Sequence, residues 1–138
     1  MYSAILELDE LHPASAALAG KLMQFNECQA RPYDFVPVRL AIFDAQGNIR
    51  AGLLGATGWA WLNIDILFVE ASQRHCGLGR ELVQRALEIA RARGCIGAML
   101  DTFDFQARGF YEKLGFGVFG ELENMPPGHR RYWMRRAI

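Results

Sequence analysis

Gln73-Arg74-His75-Cys76-Gly77-Leu78-Gly79 separates two segments of different hydrophobic period. Before it, Trp59 to Val69 is a long, apolar, partly β-branched run, which predicts a buried central strand. One acid, Asp65, interrupts it. After it, Leu78, Leu82, Val83, Ala86, Leu87 and Ala90 recur at helical spacing, while Arg80, Glu81, Gln84, Arg85, Glu88 and Arg91 cover the opposite face. Glu81 and Arg85 stand four apart, the spacing of a supporting ion pair. Cys95 to Asp101 reads as the next strand, and a strand–helix–strand order predicts that the two strands lie parallel.

Upstream, Val38, Leu40 and Ile42 alternate with their neighbours over Pro37 to Phe43, a strand signature. Asp44-Ala45-Gln46-Gly47-Asn48 makes a turn, and a glycine-rich strand from Ile49 completes a hairpin. Pro13 to Cys28 reads as a helix opened by Pro13 and broken by Arg31-Pro32-Tyr33-Asp34. Downstream follow a short helix, Gln106 to Leu114, a strand, Phe116 to Leu122, a turn, Met125-Pro126-Pro127-Gly128, and a last strand, Arg130 to Met134. The expected fold is a mixed sheet with helices on its faces, an α/β or α+β arrangement in one domain spanning residues 1–138.

At 138 residues, with 51% of them apolar, the chain can bury a core without disulfides or metal. Lysine plus arginine balance aspartate plus glutamate at 15 each, which argues against bulk attraction to nucleic acid or an anionic membrane. The three cysteines, Cys28, Cys76 and Cys95, are odd in number and form no Cys-x-x-Cys pair, so reduced thiols are expected rather than a disulfide frame or a zinc site. Met1-Tyr2-Ser3-Ala4-Ile5-Leu6-Glu7 lacks the basic start of a signal peptide, and no stretch approaches the roughly 20 apolar residues of a membrane span. A soluble cytoplasmic protein is expected, with no metal and no nucleic-acid or membrane partner.

The loop at the junction suits a pyrophosphate. Its two glycines let the backbone turn tightly, the free N–H groups of the following helical turn point outward, and Arg74 and Arg80 flank it with positive charge. A nucleotide-triphosphate loop would need Gly-Lys-Ser/Thr, which is missing. A dinucleotide fold would need a third glycine where Leu82 stands. A glycine-rich helix start without a ligand is the bland alternative. Arg-x-x-Gly-x-Gly over Arg74–Gly79 resembles the acetyl coenzyme A signature of the GNAT superfamily of N-acetyltransferases. A second run, Ala107-Arg108-Gly109-Phe110-Tyr111-Glu112-Lys113-Leu114-Gly115-Phe116, is similar to that superfamily's Ala-x-x-Φ-Tyr-Glu-Lys-Leu-Gly-Phe run, and it follows the first in the required order. The resemblance covers Trp59 to Phe116, with a looser fit on either side.

The resemblance implies a mostly antiparallel sheet in which one parallel strand pair splays apart to receive pantetheine. Backbone groups of Leu67, Phe68 and Val69 would bond the pantetheine arm, and those of Arg74, His75, Cys76, Gly77, Leu78, Gly79 and Arg80 would hold the pyrophosphate. The reaction implied is direct attack of an amine on the thioester, with the Leu67 N–H as oxyanion donor and the Tyr111 phenol as the acid for the departing thiolate. For the base, Asp65 is expected to share a strand face with Trp61, Asn63, Leu67 and Val69, either taking the amine proton or pairing with an arginine as structure. Asp104 stands where many members carry an asparagine that touches the coenzyme A arm; an ionised acid there accepts but does not donate. A covalent role for His75 and Cys76 is not expected, because the family transfers acetyl directly. The acceptor stays open among small-molecule amines and peptide amines. A homodimer is left open by the resemblance, as is a non-catalytic module that binds acetyl coenzyme A without turnover.

Overall fold

Pro13 occupies the first turn of helix α1 (Pro13–Gln29), where a backbone N–H has no helical acceptor in any case. His12 caps that end, its Nδ1 accepting from the Ala14 N–H at 3.1 Å. The computed structural model describes residues 4–138, so the first three residues of the N-terminal stretch lie outside the described residues. The chain divides into a unit ending at Tyr33, which holds α1, and a unit Asp34–Ile138. In the first unit the helix runs one residue past Cys28, and the Tyr33 N–H donates to the Glu27 carboxylate at 3.2 Å beyond the break.

The second unit holds β1 (Val36–Phe43), β2 (Ile49–Gly58), β3 (Trp61–Val69), α2 (Leu78–Ala92), β4 (Gly97–Phe103), α3 (Arg108–Lys113), β5 (Gly117–Glu123) and β6 (Arg130–Ala137). The strands form one six-stranded sheet in the order β1-β2-β3-β4-β6-β5. Every neighbouring pair is antiparallel except β3 and β4, which run parallel on either side of α2 in sequence, as expected. Leu82, Val83, Ala86, Leu87 and Ala90 of α2 are buried in a core with Leu53, Leu62, Leu100 and Met134 of the sheet. Full burial of one such leucine contributes about 2 kcal/mol.

Four expectations are corrected. The apolar run starts its strand at Trp61 rather than Trp59, because Trp59 and Ala60 take positive φ values of 47° and 62° and form the two-residue turn between β2 and β3. No glycine or asparagine marks those two positions. The third helix starts at Arg108, because the Gln106 side chain is spent on the preceding turn, accepting from the Phe103 N–H at 3.0 Å. The last strand continues to Ala137, since β4 offers partners as far as Gly97. On α2, Arg85 pairs with Glu88 at 3.2 Å, not with Glu81.

A fifth correction matters for the site. The β2–β3 register pairs Leu54 with Ile66 but Gly55 with Ile64, leaving Asp65 as an extra residue. A Cβ on Gly55 would stand 2.3 Å from the Asn63 carbonyl oxygen, so only glycine admits this close approach. The bulge reverses the alternation. Leu62 and Ile64 lie in the core, and beyond the bulge Leu67 and Val69 pack against that same core, while Ile66 and Phe68 are exposed. Trp61, Asn63 and Asp65 therefore do not share a face with Leu67 and Val69, and β3 is buried on one face only.

Candidate active site

The β3–β4 ladder runs from Trp61–Gly97 to Ile64–Leu100 and stops. Each strand keeps its outer neighbour, β3 with β2 as far as Val69–Ala51 and β4 with β6 as far as Phe103–Arg131. The two strands thus part like a fork. The inner backbone edges beyond the last rung have no strand partner, which leaves N–H and C=O groups for a ligand. A cleft of about 1020 Å³ opens there. All the predicted site residues border it except Cys76 and Asp104.

The loop that closes one end is built by local conformation. Arg74 folds back, its Nε donating to the Val69 carbonyl at 3.1 Å. His75 and Gly77 both take left-handed backbone, φ 65° and 84°. Gly77 caps α2 without any side-chain bond, and the first helical bond runs from the Glu81 N–H to the Gly77 carbonyl at 3.0 Å. The N–H groups of Leu78, Gly79 and Arg80 consequently have no acceptor within the helix and face an anion favourably. The two glycines serve different ends. A Cβ on Gly77 would touch nothing within 4 Å, so its φ is the requirement. A Cβ on Gly79 would meet the Phe110 ring at 3.2 Å and Val69 Cγ2 at 3.6 Å, so its smallness lets α2 approach α3 and β3. Cys76 is exposed, its thiol 3.7 Å from the Arg74 carbonyl.

Like Thr102, Tyr111, at 7% exposure, borders the cleft as a buried side chain. It meets the rings of Phe110 and Phe116 edge-on at 5.1 and 5.9 Å. Burial, and secondarily the charge of Asp101, pushes its pKa up to about 12, so the phenol keeps its proton through the physiological range. The Asp65 carboxylate accepts from the Asn63 side-chain amide. Asp104 is engaged elsewhere: Oδ1 lies 2.8 Å from His129 Nδ1, and Oδ2 accepts from the Arg130 N–H at 3.0 Å. Burial alone would raise its pKa, but the bonds from His129 and Arg130 outweigh that and hold it below the usual carboxylate value. It ties down the turn between β5 and β6.

Residues not singled out from the sequence also border the cleft, chiefly Asp101, Phe110 and Lys113. Phe110 and Lys113 lie within the second motif, but Asp101 carried no signal beyond ending an apolar strand. Among the described residues no three metal-ligating side chains cluster, and no helix is long and apolar enough to cross a membrane.

The sheet is thus forked between two parallel strands, with the uncapped start of α2 at one end of the cleft and the Tyr111 phenol buried at its border. Residues 8–116 match the Acetyltransferase (GNAT) family, and the chain belongs to that family of acetyltransferases. It is 37% identical over 121 residues to blasticidin-S acetyltransferase of Streptomyces morookaense, covering 87% of this chain and 85% of that one. The crystal structure of an acetyltransferase from Bacillus cereus superposes with a TM-score of 0.90 at 29% identity, covering 99% of this chain and 98% of that one. An aminoglycoside 6'-N-acetyltransferase solved with coenzyme A shares the fold at a TM-score of 0.64 and 20% identity, covering 98% and 97% of the two chains. The protein is accordingly an acyltransferase, an enzyme that moves an acetyl group to an amine.

Proposed function

We propose that the enzyme transfers acetyl from acetyl coenzyme A, bound in the fork, directly to the primary amine of a small molecule or peptide. The observation that carries this is the parting of β3 and β4 after Ile64–Leu100, with Tyr111 in the gap and the uncapped start of α2 at its end. The residues fit the donor. The backbone edge of Leu67–Val69 has no strand partner on the cleft side and, apart from the Val69 carbonyl bonded by Arg74, suits the amides of pantetheine. The loop Arg74–Arg80 suits a pyrophosphate. Acetyl coenzyme A supplies an activated thioester. The Leu67 N–H polarises its carbonyl, and the Tyr111 hydroxyl donates a hydrogen bond to the sulfur as it leaves. A phenol held at about 12 is a weak acid, but it is never lost to ionisation at working pH. Asp65, beside the bulge, accepts the proton that leaves the amine.

Blasticidin S is the first acceptor to try, because the relative named for acetylating it covers most of this chain. The three thiols, none of them in a disulfide, support a reducing cytoplasmic setting. Edge strand β5 exposes Val118, Phe119 and Leu122, which supports pairing of two copies along that edge.

Calorimetric titration of the protein with acetyl coenzyme A, beside the double variant Arg74→Ala, Gly77→Glu, tests the donor site. Micromolar binding that the variant loses is expected; no binding by the intact protein would overturn the reading.

A further inference from the structure

The fork sets two carboxylates at one level. Its last rung is Ile64–Leu100, and the next residue on each strand is an acid, Asp65 and Asp101, both bordering the cleft. Ile64 and Leu100 are buried in the core while Asp65 and Asp101 are exposed, Asp101 by strand alternation and Asp65 as the extra residue of the bulge. No other aspartate or glutamate borders the cleft among the described residues, whereas Arg74, Arg80 and Lys113 stand on the loop and helices around it. The cleft therefore has an end suited to anions and, at the crotch of the fork, a place suited to a cation.

The two acids are held differently. Asp65 receives the Asn63 amide. Asp101 is bound by Arg131, whose Nε and Nη2 both converge on Oδ2 at 2.8 and 2.7 Å. No described residue donates to Oδ1. Arg131 is itself fixed, its guanidinium lying 4.8 Å from the Trp133 ring centre and 5.4 Å from that of Phe103. It pins one oxygen of Asp101 and leaves the other presented. The charge of Asp101, second to burial, also holds the Tyr111 pKa up.

We propose that Asp101 receives the ammonium of the acceptor, Oδ1 taking a charge-assisted hydrogen bond while Arg131 holds Oδ2, so that the amine is oriented at the crotch of the fork. The proposal rests on the cleft being the acetyl-transfer site. It selects a class of acceptor: primary amines that arrive as cations near pH 7 and carry no carboxylate next to the amine, since such a group would meet the charge of Asp65.

The test is steady-state thiol release with the best amine of a panel of blasticidin S, spermidine and lysine ethyl ester, measured for Asp101→Asn, Asp101→Glu and Arg131→Gln, with acetyl coenzyme A affinity followed by calorimetry. For Asp101→Asn the amine KM should rise about 10- to 100-fold, as loss of a hydrogen bond to a charged group implies, with kcat changed less and the affinity for acetyl coenzyme A held within about twofold. Asp101→Glu should restore part of the loss. Arg131→Gln breaks the same ion pair but keeps the carboxylate, so it should raise KM only about threefold, the effect of losing the pin alone. An unchanged amine KM in Asp101→Asn would overturn the proposal, as would an equal rise in Arg131→Gln. Acetyl coenzyme A binding with no turnover of any panel amine would overturn it too. No binding of acetyl coenzyme A by the intact protein would instead overturn the function on which it rests.

Discussion

The lower and upper halves of the β3–β4 pair are made of the same two strands and behave oppositely. Below Ile64–Leu100 the strands satisfy one another, and Leu62, Ile64, Ala98 and Leu100 disappear into the core. Above it they part, Asp65, Ile66, Phe68 and Asp101 are exposed, and the inner strand edges border the cleft. The lower half is a stability device and the upper half a binding device. The boundary between them coincides with the bulge at Asp65, which lets β3 hold its outer partner β2 while it turns away from β4. Mutations on the two sides should therefore separate activity from stability.

The largest effect is expected above the boundary. Tyr111→Phe keeps the ring and its edge contacts with Phe110 and Phe116 and removes only the hydroxyl. We expect kcat to fall about 100-fold, corresponding to about 2.7 kcal/mol of transition-state stabilisation, with unfolding stability within about 1 kcal/mol of the parent. Because the phenol titrates only near 12, the parent kcat should show no loss from this group up to about pH 10. A loss of stability as large as the loss of rate would make Tyr111 a core residue and no more.

At the boundary the balance reverses. Gly55→Ala drives a methyl group into the Asn63 carbonyl, against backbone that cannot yield as a flexible side chain would. The expected cost is about 2 kcal/mol in urea unfolding, with residual activity in whatever fraction stays folded. If stability holds but kcat collapses, the bulge serves the fork alone and not the sheet.

This boundary also divides what was legible in the sequence from what was not. The crossover helix and the parallel pair follow from local period and order and appear where expected, with ends moved by a residue or two, whereas the two motifs were legible through their resemblance to a family. The bulge did not show, because it is a property of two strands: Asp65 looks like an ordinary position on β3 until Gly55 is set against Asn63. The Trp59–Ala60 turn hid because residues with side chains occupy backbone that usually calls for glycine or asparagine. Asp101 was overlooked because its meaning comes from Arg131, 30 positions further on, and from where the ladder ends. Asp104 illustrates the converse. Its motif position pointed to the coenzyme arm, while its two oxygens are taken by His129 and Arg130.

The smallest effect concerns a region outside the fork altogether, and so serves as its control. In the β1–β2 turn, Asp44 accepts from the backbone N–H groups of Asn48 and Gln46, both at 2.9 Å, and from Arg50. These bonds, the Asn48 N–H foremost, outweigh its partial burial and lower its pKa from 3.8 to about 2. A carboxylate with a depressed folded pKa contributes stability above its unfolded value, and that contribution fades as pH falls from 3.8 through 2. The parent should therefore melt above Asp44→Asn at pH 6, and the gap between their melting temperatures should close between pH 4 and pH 2 by differential scanning calorimetry. Acetyl coenzyme A affinity at pH 7 should be the same in both. A gap that stays constant with pH would mean that the turn is held by its backbone bonds alone, and a changed affinity would mean that the hairpin and the fork are mechanically joined through β2.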